Sequence, residues 1–380
     1  MELVLRRDTL AEAVAWSSRS ISPRPAVAVL SGVRIEARED GVELSSYDYE
    51  VSSRVTVAAE EVTEPGVAVV DGKLLSETAR ALPTSADLVT FATEENYLHI
   101  TCGSFKQNLI MMHSEEYPSL PQLPPSAGKV DAAAFAHSVS QVAVAASRDE
   151  TLPLLTGISL EVRPDKLYLL ATDRYRMALK EMPWAGGQGG DQDLVVKAKN
   201  LSDAAKNIAT AGDVEIAAGS ADSPASLIGL SANGRVFTSQ INDGNYPDVR
   251  RLFPEPINVT AVVKVDQFIE TAKRVAIVSS NLSNQQISLR FSAGQLEFLA
   301  GNGGENSASD TIPALLNGPD IAVSFNSRML LEGLGAIDEP YARLSFKDEA
   351  KPVVITGQKD ETGDDNLTFR YLIMPIRTSI

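Results

Sequence analysis

The sequence predicts an α+β protein made of three tandem copies of one unit, each combining helices with antiparallel hairpins. Three observations carry this reading. A strand-pair signature recurs: Leu30-Ser-Gly-Val-Arg-Ile-Glu, then Gly41-Val-Glu-Leu and Tyr47-Asp48, returns as Leu155-Thr-Gly-Ile-Ser-Leu-Glu, then Lys166-Leu-Tyr-Leu and Thr172-Asp173. The offset is 125 residues throughout, and a fainter third copy, Ile287-Ser-Leu-Arg-Phe with Gly294-Gln-Leu-Glu-Phe, follows 129 residues after the second, with Asn302 where Asp173 would fall. A β-branched run leading into an amphipathic stretch recurs as Val69-Val-Asp-Gly-Lys73, Val195-Val-Lys-Ala-Lys199 and Val323-Ser-Phe-Asn-Ser-Arg328. Finally, Asp8, Asp131 and Asp266 each open a stretch with helical spacing, such as Phe268, Ile269, Ala272 and Val275, an acid being favoured at a helix N-cap or first turn.

In order along the chain, each copy reads as helix, strand pair, strand, helix and further strands. Short strands flanked by Gly, Asp or Pro, such as 167–171 and 353–356, supply the hairpins. The first two copies close alike, on Tyr117-Pro and Tyr246-Pro. Proline-rich linkers at 118–128 and 253–257 set domains at 1–121, 129–253 and 258–380. The run Gly186-Gly-Gln-Gly-Gly190 is a loop and no phosphate cradle, because no Lys-Ser/Thr follows it.

Composition fits this organisation. At ~150 residues per domain, 380 residues hold two or three domains. Hydrophobic content of 44% and charged content of 22% suit a globular chain, and no apolar run approaches the ~18–20 residues that span a bilayer. The N-terminus lacks the pattern of a signal peptide. The single cysteine, Cys102, cannot form an internal disulfide, which suits a reducing compartment, and a cytoplasmic, nucleoid-associated location is expected. His99, His113 and His137 show no ligand spacing, so no metal and no cofactor are expected. With 34 basic and 50 acidic residues the net charge is −16, which repels nucleic acid unless the charge is unevenly distributed.

The repeats, together with Leu154-Leu-Thr-Gly-Ile-Ser-Leu-Glu, Ala171-Thr-Asp-Arg-Tyr-Arg-Met-Ala, Asp243-Gly-Asn-Tyr-Pro-Asp-Val-Arg-Arg and the terminal Tyr371-Leu-Ile-Met-Pro-Ile-Arg377, resemble the bacterial DNA polymerase III β subunit family, the sliding clamps, over the whole chain. The resemblance implies three copies of the DNA clamp fold, with helices lining a channel and antiparallel sheets on the outer rim. It implies a ring closed as a head-to-tail homodimer that encircles duplex DNA and tethers the replicative polymerase. Twelve lining helices at ~8–10 Å spacing leave an opening of ~20–28 Å, wide enough for a duplex.

The charge distribution agrees. The stretches 8–24, 71–82, 131–148, 197–211, 264–280 and 327–337 together carry +3, and the rest of the chain −19. A ring that holds DNA by topology needs little phosphate affinity, and strong phosphate contacts would slow sliding. Arg24, Lys73, Arg80, Arg148, Lys197, Lys199, Lys206 and Arg274 are the candidate DNA contacts, although the same residues also fit ordinary solvated helix faces.

The resemblance further implies one pocket for short peptides of DNA polymerase III α, clamp loader and repair polymerases, typically a Gln followed by two or three large apolar residues. Its positions here are Leu155, Thr172, Arg174, Tyr175, Arg176, Met177, Pro247, Leu252, Pro352, Leu372, Met374, Pro375, Ile376 and Arg377. Met and Leu walls adapt to varied apolar side chains, and a few polar groups such as Thr172 and Arg176 fix orientation. Arg174 and Tyr175 depart from the residues common at those positions in the family. At the implied dimer interface Lys106 and Gln107 of one chain would lie near Ile277 and Val278 of the other.

An enzyme is the competing class. Asp48 and Asp173 are repeat-equivalent, so they belong to different domains and do not make a clustered carboxylate site. The scattered histidines suggest no nucleophilic triad, and Glu305 and Asp310 lack a calcium-loop pattern. A monomeric peptide-binding scaffold that never encircles DNA is the other alternative.

Overall fold

A computed structural model describes residues 1–186, 190–220, 223–253, 256–279, 285–301 and 306–376. Six α-helices occur among them: α1 (Arg7–Ser17), α2 (Gly72–Ala81), α3 (Ala132–Ala143), α4 (Ala198–Ile208), α5 (Val265–Ala276) and α6 (Ser327–Leu334). Two fall in each repeat. The second helix of each repeat follows the β-branched signature directly, as strands Gly66–Asp71, Gln192–Lys197 and Ile321–Asn326 run into α2, α4 and α6.

The first helix of each repeat is also preceded by a strand, which the sequence reading did not include. Glu2–Arg6, Ser126–Asp131 and Val259–Lys264 lead into α1, α3 and α5. Ser126–Asp131 occupies the end of the expected 118–128 linker, because its backbone pairs with Asp213–Ser220. The helices are shorter than their apolar periodicity suggests. α1 ends at Ser17 and continues as a 3-10 turn over Ser18–Ser20, leaving Arg24 in the loop beyond. α5 gives way to a 3-10 turn, Ile277–Ser279, so Ile277 and Val278 lie past its end.

Of the acids expected to open helices, Asp131 does so through its carboxylate, which accepts from the Ala134 amide at 2.7 Å. Asp8 and Asp266 sit one position inside, in the first turn, where a negative charge favours the helix dipole. Asp71 and Asn326 are further N-caps, accepting from Leu74 N at 2.7 Å and Met329 N at 3.1 Å.

The chain forms two compact units, and the division passes through α3 and α4. One unit, 1–135 with 185–190 and 203–241, holds a fourteen-stranded sheet; every pairing within it is antiparallel. The other, 136–184 with 191–202 and 242–380, holds a nine-stranded and a four-stranded sheet. The reason is that sheets run across repeat boundaries. Val51–Val57 of the first repeat pairs with Arg235–Gln240 of the second, and Arg176–Pro183 of the second pairs with Asp365–Ile373 of the third. Each unit is thus built around one junction between repeats.

The repeated glycines have a common cause. A Cβ at Gly32 would lie 2.6 Å from Val69 Cγ1, and one at Gly157 would lie 2.6 Å from Val195 Cγ1, so the same strand crossing excludes a side chain in both copies. The core beneath is aromatic and aliphatic. Phe268 of α5 meets Phe298 edge-on with ring centroids 4.9 Å apart, and both are fully buried.

Candidate functional site

The repeated Asp and Tyr-Pro motifs build one device twice. In the first repeat, Asp48 Oδ1 accepts from Glu50 N at 3.0 Å and Val51 N at 2.7 Å, closing the hairpin turn. In the second, Asp173 Oδ1 accepts from Tyr175 N at 3.0 Å and Arg176 N at 3.1 Å. These acids are turn caps. The tyrosine of each Tyr-Pro pair seals the same hairpin: Tyr117 Oη accepts from Tyr47 N at 2.9 Å, and Tyr246 Oη accepts from Thr172 N at 3.0 Å. Burial pushes the Tyr117 hydroxyl up to about 12 and raises that of Tyr246 further. The neighbouring strand ties on equivalently, Gln240 N donating to Glu50 O at 2.8 Å and Met374 N to Tyr175 O at 2.8 Å.

What the two devices hold is different. At the second junction Met177 lies opposite Leu372, and these two form a buried cluster with Leu170, Leu179 and Val249, against which Tyr168, Tyr246, Phe253 and Val354 pack. At the first junction the repeat-equivalent pair is Ser52 opposite Thr238, whose hydroxyls bond at 2.6 Å. Leu170 is replaced there by Ser45. The apolar floor therefore exists at one junction of the chain and is a hydroxyl ladder at the other. Exposed apolar residues adjoin the floor along the backbone, Met374 N donating to Tyr175 O and Leu252 N to Val249 O. A recess of about 410 Å³ follows the segment from Gly244 to Arg250, with Leu170 and Val195 on its wall and the Glu161–Arg250 ion pair, at 2.7 Å, along its side.

The expected peptide-site residues divide accordingly. Met177 and Leu372 belong to the floor. Thr172 is buried and ties the turn, donating from Oγ1 to Arg176 O at 2.7 Å and accepting from Arg174 N at 3.2 Å. Leu155 is buried outside that cluster, its carbonyl accepting from Ser147 N. Pro247 is exposed, and Pro352, Pro375 and Ile376 are half-buried, with Ile376 N donating to Ser324 O at 2.7 Å. Arg377 lies outside the described residues, as do Asn302 and Glu305. Leu170, Leu179 and Val249 of the floor, with Tyr246 and Phe253 packed against it, were not among the expected peptide-site residues.

Arg176 takes a role other than the orienting one expected of it. It is 3% exposed, with Nε donating to Asp173 Oδ2 at 2.8 Å and Nη1 to Glu332 of α6. Burial alone would lower its pKa, but Tyr371, Glu332 and Asp173 outweigh burial and raise it. The guanidinium is a structural tie from the hairpin turn to α6. Gly333 completes this contact, since a Cβ there would lie 2.2 Å from the Tyr371 ring.

Of the candidate DNA-facing cations, Arg24, Lys73, Arg80, Arg148, Lys199, Lys206 and Arg274 are exposed and Lys197 is half-buried. Arg148 reaches Glu332 at 3.4 Å, Lys197 reaches Glu150 at 3.3 Å, and Arg274 reaches Asp310 at 2.7 Å and Glu270 at 3.1 Å. Such surface pairs are worth at most about 1 kcal/mol, so a phosphate can displace the carboxylate. Among the described residues no group of three or more His, Cys, Asp or Glu could hold a metal ion.

At the expected interface, Lys106 is exposed and Gln107 Oε1 accepts from Thr78 Oγ1 at 2.9 Å. Their strand, Phe105–Met112, pairs with Tyr97–Cys102 on one side, but on the other only Met111 and Met112 are paired. Ile110 on this strand is 71% exposed and Ile277 is 69% exposed. Ile277 lines a groove of about 550 Å³ with Lys273, Arg328 and Leu331.

Three family models match the chain in order: the DNA polymerase III beta subunit N-terminal domain over residues 1–121, the central domain over 129–248 and the C-terminal domain over 250–377. The "Beta sliding clamp" of Streptomyces coelicolor is 40% identical over 381 residues, covering all of both chains. That of Micrococcus luteus is 41% identical over 317 residues, 83% of this chain and 100% of its own. The crystal structure of the DNA polymerase sliding clamp from Bacillus subtilis superposes with a TM-score of 0.90 at 25% identity, covering 100% of this chain and 99% of that one. The fold is therefore a three-domain α+β DNA clamp. The chain belongs to the DNA polymerase III β subunit family, the β sliding clamps, which are non-catalytic processivity factors of DNA replication.

Proposed function

We propose that two copies of this chain close head to tail around duplex DNA, and that each presents one peptide recess to DNA polymerase III α, the clamp loader and repair polymerases. The domains of this reading are 1–121, 129–253 and 258–380, and its location is cytoplasmic and nucleoid-associated. The observation that carries the peptide site is the buried Met177–Leu372 cluster, which shares Leu170 and Val249 with the recess and is bordered in the chain by exposed Tyr175, Leu252 and Met374. Adaptable apolar walls suit one site that serves several partners in turn.

Ring closure is supported by the unpaired edge of Phe105–Met112 and by exposed Ile110 and Ile277. An open strand edge with an exposed aliphatic is a ready pairing surface. Lys106 and Gln107 would meet Ile277 and Val278 there. Arg24, Lys73, Arg80, Arg148, Lys197, Lys199, Lys206 and Arg274 would face the duplex, holding it loosely enough to slide.

Retention on DNA tests the ring. The protein is loaded onto nicked circular plasmid with a clamp loader and ATP, and the plasmid is then linearised. Retention on circles in high salt with loss from linear ends is the expected result. Equal stripping by salt from both forms would mean electrostatic binding and would leave the monomeric scaffold standing.

A further inference from the structure

The first junction differs from the second by more than its hydroxyl ladder. Ser46 Oγ donates to Ser17 O, and the hydroxyls of Ser53 and Ser20 bond at 2.6 Å, so Ser46 and Ser53 face the end of α1. Successive residues of a strand point to opposite faces, which puts Ser45 and Arg54 on the other face of the sheet. Register sets them in one row, with Arg34 opposite Ser45, Ser45 opposite Arg54 and Arg54 opposite Val236. The corresponding row at the second junction is Ser159, Leu170, Leu179 and Arg370. An apolar pair, Leu170 and Leu179, is thus replaced by a hydroxyl and a guanidinium.

Both of these groups lack partners. Ser45 is fully buried, and its hydroxyl makes no hydrogen bond among the described residues. Arg54 is half-buried, and its guanidinium makes no hydrogen bond or ion pair among the described residues. On the other side of Ser45, Arg34 commits Nη1 to Glu36 Oε2 at 2.7 Å, and Arg38 Nη2 shares that oxygen at 2.9 Å. The bond from Arg38 is the first cause that lowers the Glu36 pKa, so Glu36 keeps a counter-ion if Arg34 turns away. Glu43, opposite Glu36, is the other acid of that neighbouring row. An unpaired buried hydroxyl beside an unpaired guanidinium costs free energy that a bound acceptor recovers. Adjacent strands lie ~4.8 Å apart, so the Cα atoms of Arg34 and Arg54 are ~10 Å apart, a span that two guanidiniums can close around one anion. Donors converging from three sides suit a tetrahedral oxyanion better than a planar carboxylate, and guanidinium–phosphate bonds are charge-assisted.

We propose that Arg34, Ser45 and Arg54 form a phosphate site on the sheet face turned away from α1, taking free phosphate or the phosphoryl group of a nucleotide. The anion sits over Ser45 between the two guanidiniums, accepts from the Ser45 hydroxyl, and leaves Glu36 to Arg38. The site depends neither on ring closure nor on the peptide recess.

Thermal unfolding of the full-length protein tests this, with inorganic phosphate, AMP, adenosine or sodium chloride titrated at matched ionic strength. Phosphate, AMP or both are expected to raise the midpoint and to saturate, while adenosine and chloride do not. A response to phosphate alone assigns the site to the free ion, and a stronger response to AMP assigns it to a nucleotide. Phosphate also stabilises proteins generally by exclusion from their surface, so the deciding comparison is with variants. Arg54→Gln is expected to weaken the response at least ~10-fold in concentration, and Ser45→Ala ~3- to 10-fold. Neither variant should lower the midpoint in chloride, because neither group has a partner to lose. A response that survives Arg54→Gln, midpoints in phosphate and AMP no higher than in chloride, or a lower midpoint of both variants in chloride would overturn the proposal.

Discussion

Met374 offers a direct test of the proposed peptide site because it is exposed next to Tyr175 and does not belong to the buried Met177–Leu372 cluster. It is 38% exposed, which leaves about 70 Å² for a partner to cover, worth ~1.8 kcal/mol at ~25 cal/mol per Å². Truncation to alanine removes most of that surface, so Met374→Ala is expected to weaken an apolar-anchored peptide by ~5- to 20-fold, at 1.4 kcal/mol per factor of ten. The backbone tie from Met374 N to Tyr175 O does not depend on the side chain and keeps the strand in place. Fluorescence anisotropy with a Gln-Leu-Leu-Phe peptide reads the affinity, and sedimentation velocity on the same sample reads the dimer. Pro375→Ala added to Met374→Ala deepens the loss of binding and leaves the sedimentation profile unchanged. Peptide affinity within twofold of wild type would show that the rim is not a contact surface and would refute the reasoning.

Exchanging the floor for its first-repeat counterpart, Met177→Ser with Leu372→Thr, should abolish peptide binding in the same assay, while calorimetry on the wild type should give one peptide per chain; two per chain would contradict the contrast between the junctions. Ile277→Asp should shift the protein from dimer to monomer in sedimentation at micromolar concentration, because a head-to-tail ring buries this residue twice, at ~1.5–3 kcal/mol each; an unchanged dimer would place the interface elsewhere. Tyr117, held neutral by burial with its pKa near 12, stabilises the fold fully below the ordinary tyrosine value of ~10. That contribution, roughly 2–3 kcal/mol, is lost as pH rises from ~10 through 12. The urea midpoint should therefore fall over that window in the wild type and fall less in Tyr117→Phe, and parallel curves would remove Tyr117 as the cause.

The repeat was legible because it is written in turn and crossing residues, whose constraints are local. Gly32 and Gly157 are excluded from carrying a side chain by the same valine crossing, and Asp48 and Asp173 cap the same turn, so both motifs survive where the packing between them has diverged. The opening strands were not legible for a related reason. Glu2–Arg6 has the alternation of a strand, with Leu3 and Leu5 buried, but it runs straight into α1 without a turn to mark it. Ser126–Asp131 begins Ser-Ala-Gly, a linker composition, and is a strand only because Asp213–Ser220 pairs with it. The floor of the recess was half legible. Met177 and Leu372 came from the family motifs, whereas Leu170 and Leu179 look like any buried strand residue, and Val249, although inside a quoted motif, joins them only through the tertiary packing of the segment after the second repeat. The role of Arg176 could not be read at all, since its partner Glu332 stands 156 residues away on α6.

The contrast between the junctions would explain, on the proposed reading, why a chain with repeated hairpins takes a peptide at one junction and not at both. At the first junction an incoming apolar side chain would have to part Ser52 from Thr238, leaving two buried hydroxyls without partners at ~1–3 kcal/mol each, and would gain little apolar contact in return. At the second, Met177 and Leu372 make no hydrogen bond that a ligand must break, and thioether and isobutyl groups can shift to fit it. Both junctions keep the turn cap, the tyrosine seal and the backbone tie to the next strand. Those bonds hold the sheets continuous across each boundary whatever the floor is made of. Structure and the proposed recognition are therefore separable here: the polar ties serve both boundaries between repeats, and on the proposed reading one cross-strand pair decides which boundary would receive a partner.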